Sequence, residues 1–121
     1  MGNMPGRNQL AGGNAFRAIG RLREMRAFER RHLHCLRTVE DRDLVWEIGH
    51  HQGRRSPLSL KQVFLLGIAS VPTVQRRLRR LVHEGCIQQH RAARDRRTLQ
   101  LTLSPKVLSV LARYGELLNA P

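Results

Sequence analysis

The feature that most constrains this chain is a change of hydrophobic period at Gly85. Before it, residues 70–84 repeat on a helical period, with Val74, Leu78, Leu81 and Val82 on one face. Ser70 serves as N-cap, Pro72 is tolerated in a first turn whose N–H groups lack helical partners, and Gly85 stops the helix. After it, residues 86–90 and 98–103 read as strands, the second with strict apolar alternation in Leu99, Leu101 and Leu103. The connecting loop 91–97 holds no apolar residue larger than alanine, so the two strands form a hairpin with a basic tip. A second helix precedes the first: Ser59 and Gln62 make a capping box for residues 60–66, and Gly67 ends it as a C′ glycine. Two helices joined by a three-residue turn, followed by a hairpin, predict a winged helix-turn-helix, mainly α with a small β-hairpin.

The flanks complete one domain. Residues 1–13, rich in Gly, Asn and Pro, read as a disordered tail, and residues 14–121 as the folded unit. Asn14 caps a helix expected to run to about Arg37, with Ala15, Ala18, Ile19, Leu22, Met25, Leu33 and Leu36 on one arc. Thr38 opens another helix in TVED, where Asp41 takes the acidic place of a capping box and Leu44, Val45 and Ile48 face the core. Residues 50–57 read as a loop. Ser104-Pro105 starts a last helix as N-cap and N1, carrying Val107, Leu108, Val110, Leu111, Leu117 and Leu118. That is more apolar surface than packing on one side requires. With the long first helix, it forms the expected dimerisation region.

Charge narrows the partner. The 121 residues hold 22 Lys and Arg against 9 Asp and Glu, a formal net charge of +13. The excess sits in two blocks: 14–37 has seven Arg against two Glu, and 71–97 has eight Arg against two acids. Such a balance points to a polyanion, nucleic acid before an anionic membrane surface. All but two of the basic residues are arginine, which suits phosphate and guanine, although a GC-rich genome produces the same bias. No apolar run reaches the roughly 18 residues of a membrane span, and no secretory apolar segment is present. Cys35 and Cys86 lack metal-ligand spacing; Cys35 lies near arginines that lower a thiol pKa, and Cys86 begins a strand as a core residue. His32/His34 and His50/His51 lack the i, i+4 spacing of paired ligands, so no metal or cofactor is expected.

The candidate site residues follow from the helical wheel. Pro72, Thr73, Arg76, Arg79, Arg80 and His83 lie opposite the apolar face of residues 70–84, with Gln75 and Arg77 at its edges. A helix fits the major groove, where Arg pairs with guanine, Gln with adenine, and Thr contacts the thymine methyl or a phosphate. In the hairpin tip, Arg91, Arg94, Arg96 and Arg97 surround Asp95. An arginine loop of this kind suits the negative potential of a narrow minor groove, and the lone acid either holds an arginine or caps the turn.

The segment 58–105 resembles the core of the MarR family of bacterial winged-helix transcription regulators. PTVQRRLRRLVHEGCI (72–87) is similar to the family's recognition helix and its turn into the first hairpin strand, and DRR (95–97) to its wing signature, with LTLSP following. The resemblance covers roughly residues 40–118. It implies that Asp95 bonds a neighbouring arginine, that Arg97 reads the minor groove, that Thr73, Gln75 and Arg76 face the major groove, and that Arg80 lies near the DNA backbone. It further implies a homodimeric, cytoplasmic, nucleoid-associated regulator of double-stranded DNA, more often a repressor. Any small-molecule effector is unspecified, and no membrane partner is implied. Three other readings stand beside it. They are an architectural DNA binder without sequence preference, an RNA-binding winged helix (disfavoured by an aromatic content of 4%), and an enzyme, for which no catalytic constellation is present.

Overall fold

The computed structural model describes residues 7–119. Among them are five helices and one hairpin: α1 (Arg7–His32), α2 (Val39–Gly53), α3 (Leu60–Leu65), α4 (Val71–His83), β1 (Ile87–Arg91), β2 (Leu99–Leu103) and α5 (Pro105–Asn119). Two boundaries differ from the sequence reading. Helix α1 starts at Arg7, so residues 7–13 of the expected tail are helical, while residues 1–6 lie outside the described residues. At its other end α1 stops at His32 rather than near Arg37, because Leu33 and Leu36 turn inward to join the core. Helix α2 extends through Gly53, four residues into the expected loop.

The capping chemistry explains where the elements begin. Thr38 and Asp41 form a reciprocal capping box at α2, and Ser59 and Gln62 form another at α3. The Ser104 hydroxyl accepts from Val107 N at 3.2 Å to open α5. At the end of α4 the Cys86 N–H reaches the Leu81 carbonyl at 2.8 Å and the Gly85 N–H the Val82 carbonyl at 3.0 Å. This is a Schellman closure, and it needs the left-handed φ of +76° that Gly85 supplies.

The core lies between α2, α4 and the hairpin. Leu44, Val45, Ile48, Val63, Val74, Leu78, Leu81, Ile87 and Leu101 are all fully buried. β1 and β2 pair antiparallel from Ile87↔Leu103 to Arg91↔Leu99. A short third edge comes from the residues before α3: Ser59 bridges Gln100, and Leu101 N donates to the Leu58 carbonyl at 2.9 Å. Helix α2 grips the hairpin from the other side. Gln52 Oε1 accepts from Leu103 N at 2.7 Å, and Gly49 lies so close that a Cβ there would stand 2.7 Å from Leu103 Cδ1. The hairpin is thereby fixed to α2 and to the start of α3.

Helix α5 packs on the C-terminal half of α1. The Phe28 ring lies 4.9 Å from Tyr114 and 4.6 Å from His32, centroid to centroid, with the Arg113 guanidinium 6.0 Å over its face. Burial and the Arg113 charge depress the His32 pKa. The N-terminal half of α1 carries its apolar arc unburied, with Phe16 73% and Leu22 56% exposed. Ile19, Leu108 and Leu118 are exposed as well, whereas Val110 and Leu111 pack against the core; the Leu117 side chain lies outside the described residues. Glu29 joins α1 to α2 through Arg42 at 2.9 Å and also meets Arg26 at 3.3 Å. Burial raises its pKa in spite of the arginines around it.

Candidate nucleic-acid interface

Helix α4 presents the expected polar face. Pro72, Gln75, Arg76, Arg79 and His83 are exposed, and Thr73 is half-buried at the start of the helix. Thr73 is the hub of a small hydrogen-bond set. The Ser70 hydroxyl donates to Thr73 Oγ1 at 3.0 Å and Arg76 Nη2 donates to the same oxygen at 3.3 Å. The Thr73 N–H in turn donates to Ser70 Oγ at 3.4 Å. Thr73 and Arg76 are thus held side by side on the first turns of α4. Neither Arg76 nor Arg79 has a carboxylate within ion-pair distance among the described residues, so the charge of each is left for an external acceptor.

Arg80 does not join that face, contrary to the role near the DNA backbone that the family resemblance implies. Its Nη2 pairs with Asp41 Oδ2 at 2.5 Å and its Nη1 with Glu84 Oε2 at 2.9 Å. Nη1 also donates to the Cys35 carbonyl at 3.0 Å. Asp41 is 0% exposed, and the same Oδ2 accepts the Arg37 and Thr38 amides at 2.9 and 3.0 Å. Arg37 closes the set on Glu84 at 2.6 Å. The physical reason is the missing counter-charge: an aspartate buried to cap α2 requires a cation, and Arg80 is the one that reaches it. Arg80 therefore ties α4 to the start of α2 and fixes the angle at which α4 leaves the core.

The hairpin tip is ordered by Asp95, though not through an arginine side chain. Asp95 Oδ1 accepts the Arg97 amide at 3.0 Å, Oδ2 accepts the Thr98 hydroxyl at 3.3 Å, and the Asp95 carbonyl accepts Thr98 N at 2.9 Å. Of the two roles open to this acid, the geometry has it cap the turn. Among the described residues no arginine pairs with it, which corrects the Asp–Arg bond that the resemblance implies. Arg91, Arg94, Arg96 and Arg97 are all exposed. Arg97 shares a surface depression with Ser59, Lys61 and Phe64 of the α3 region, and Gln75 and Arg79 share another with Leu60 and Gln89. The α3 N-terminus, the α4 face and the hairpin therefore form one continuous surface. Lys61 is a member that sequence reasoning overlooked. Its place as the single charged residue of α3 was the available signal.

No protein-family model and no curated protein matches this sequence. Solved structures do match its fold. The S. aureus MepR–DNA complex superposes with a TM-score of 0.62 at 20% identity, covering 88% of this chain and 83% of that one. The MarR crystal structure gives 0.51 at 24% identity, covering 87% and 79%. The transcriptional regulator BldR from Sulfolobus solfataricus gives 0.52 at 19% identity, covering 98% and 80%. These are MarR-family winged-helix regulators, and this chain has their fold.

Proposed function

We propose that this chain is a sequence-specific double-stranded DNA-binding transcription regulator that acts as a homodimer, with repression as its outcome. The observation that carries the proposal is the α4 face. Gln75, Arg76 and Arg79 stand exposed beside half-buried Thr73, with neither arginine paired to a carboxylate among the described residues, next to a basic hairpin tip held in shape by Asp95. In this reading α4 enters the major groove with Thr73, Gln75 and Arg76 as base readers. Arg97 approaches the minor groove, and Arg91, Arg94, Arg96 and Lys61 contact phosphates. The solved DNA complex of MepR supports the reading, because a protein of this fold is seen there on DNA.

The dimer is supported by the unburied apolar arc of α1. Phe16, Ile19 and Leu22 run along it, and Arg21 Nη1 donates to the Leu118 carbonyl at 3.4 Å, which brings exposed Leu118 of α5 to the same region. An apolar surface of this extent calls for a protein partner, and a second copy supplies the two-fold symmetry such regulators use. Two copies place their α4 helices about one DNA turn apart, so the bound site is a near-palindrome. A cytoplasmic setting follows from the role; no helix among the described residues is long and apolar enough to cross a membrane.

Selection of bound duplexes from a random pool tests the proposal. The expected result is an enriched two-fold symmetric motif that outcompetes a scrambled duplex of equal length at physiological salt. Equal affinity for both duplexes would replace sequence-specific regulation with architectural binding.

A further inference from the structure

Helix α1 is a long lever on a short footing. Its 26 residues span about 39 Å, and its ring packing with α5, through Phe28 and Tyr114, lies close to its C-terminal end. At that footing Glu29 is buried, and its Oε2 accepts Arg42 Nε of α2 at 2.9 Å. Arg42 is itself mostly enclosed, with 20% of its side chain exposed. This ion pair ties α1 to the winged-helix core. The residue just before Arg42 is Asp41, the buried carboxylate on which Arg80 of α4 rests. The first turn of α2 is therefore held from two sides, by α1 through Arg42 and by α4 through Asp41.

From this arrangement we infer that Glu29 and Arg42 are positioning residues that fix the tilt of α1 against α4, and with it the half-site spacing of the bound DNA. The spacing rests on the homodimer proposed above; the tilt does not. The other contacts at the footing are apolar: Leu33 and Leu36 enter the core, and the Phe28 ring meets Tyr114. Apolar packing has no preferred direction, whereas an arginine–carboxylate bond has one. From Glu29 to Phe16 the helix runs about 20 Å. A tilt of roughly 10° at Glu29 therefore moves the exposed arc at Phe16 by about 3.4 Å, one nucleotide step along a DNA strand. The second copy sits on that arc, so the tilt of α1 is passed to the separation of the two α4 helices.

Arg26 makes the tie separable from the fold. It pairs with the same Glu29 oxygen at 3.3 Å, but from three residues earlier on α1, so it balances the carboxylate without linking two helices. Arg42→Met keeps the length of the side chain and removes the tie, and Glu29 still has a cation beside it. Glu29→Gln removes the charge from the other end and keeps the shape. Arg42→Lys keeps a cation opposite Glu29 and is the conservative control.

Two readouts test the inference on the full-length chain. The first needs no DNA: nitroxides at Arg17→Cys on α1 and His83→Cys on α4, both exposed positions, in a Cys35→Ala, Cys86→Ala background diluted with unlabelled chain. Pulsed dipolar spectroscopy is expected to give one narrow distance distribution, which Arg42→Met and Glu29→Gln broaden or shift by about 3 Å and Arg42→Lys leaves in place. The second compares the selected symmetric duplex with the same duplex carrying one base pair inserted at its centre. That insertion moves the half-sites about 3.4 Å apart and turns them by roughly 35°. The wild type is expected to prefer the original spacing by roughly tenfold or more, and Arg42→Met to narrow this preference to about threefold or less. Distances unchanged in both Arg42→Met and Glu29→Gln, or an unchanged spacing preference beneath a common loss of affinity, overturns the inference. If the wild type binds all duplexes alike, the regulator reading fails, and the distance measurement still decides whether Glu29 and Arg42 set the tilt.

Discussion

Replacing Arg80 separates two roles that an arginine on a DNA-binding helix can have. The structure places its guanidinium on Asp41, a carboxylate with 0% exposure, and Arg80 itself is 22% exposed. Arg80→Ala leaves the Asp41 charge buried with only its two amide donors. Losing one partner of a buried ion pair costs about 3–5 kcal/mol, and the partial exposure of Arg80 puts this case near the lower bound. With a urea m-value of about 1.5 kcal/mol/M, a loss of about 3 kcal/mol lowers the unfolding midpoint by about 2 M. Circular dichroism in a urea series reads this directly. The same variant, at protein concentrations and temperatures where it is folded, keeps the wild-type dependence of DNA affinity on salt, because no phosphate contact is removed. Arg76→Ala provides the contrast, with a urea midpoint close to wild type. The paired change Asp41→Leu with Arg80→Met removes both charges and recovers most of the lost stability. The reasoning fails if Arg80→Ala unfolds at the wild-type urea midpoint while its salt slope falls by about 0.9, the signature of one lost phosphate contact.

Three further outcomes are expected. Because burial raises the Glu29 pKa above its ordinary value, the folded chain keeps a proton that the unfolded chain has released, so stability falls as pH rises from the usual glutamate range through that raised value. Glu29→Gln is expected to flatten this fall in urea midpoints measured across acidic pH. Gly49→Ala sets a methyl 2.7 Å from Leu103 Cδ1, where the side-chain end must shift, and is expected to cost about 1 kcal/mol in a denaturant titration. Leu22→Glu puts a charge in the exposed apolar arc of α1 and is expected to convert dimer to monomer in light scattering without lowering the urea midpoint measured on the monomer.

The winged-helix core was legible because its signals are local. Capping residues at Thr38, Ser59, Ser70 and Ser104, the glycine at position 85 and the alternation through Leu99–Leu103 each act within a few residues, and the elements start and stop close to where they predict. The features that escaped depend on tertiary geometry. Arg80 has the same wheel position as a DNA-facing arginine; only the arrival of Asp41 from α2 turns it inward. For Asp95 the loop sequence left two roles open, an arginine partner or a turn cap, and the tight turn that sets Arg97 N 3.0 Å from Oδ1 decides for the cap. The juxtaposition of Lys61 with Arg97 likewise comes from chain segments far apart in sequence. At the start of α1, composition misled: Gly12 and Gly13 suggested a tail, yet residues 7–13 are helical.

The central claim is that the exposed face of α4 reads base sequence, and Arg76 tests it most directly. The measurement is the ratio of affinities for a selected duplex and a scrambled one, at fixed physiological salt, in wild type and Arg76→Ala. A bidentate arginine–guanine contact contributes about 1–3 kcal/mol of discrimination, so the ratio is expected to drop by roughly 5- to 150-fold while affinity for the scrambled duplex changes little. If Arg76→Ala instead weakens both duplexes by the same factor and leaves the ratio intact, α4 holds the phosphate backbone and does not read sequence through this residue.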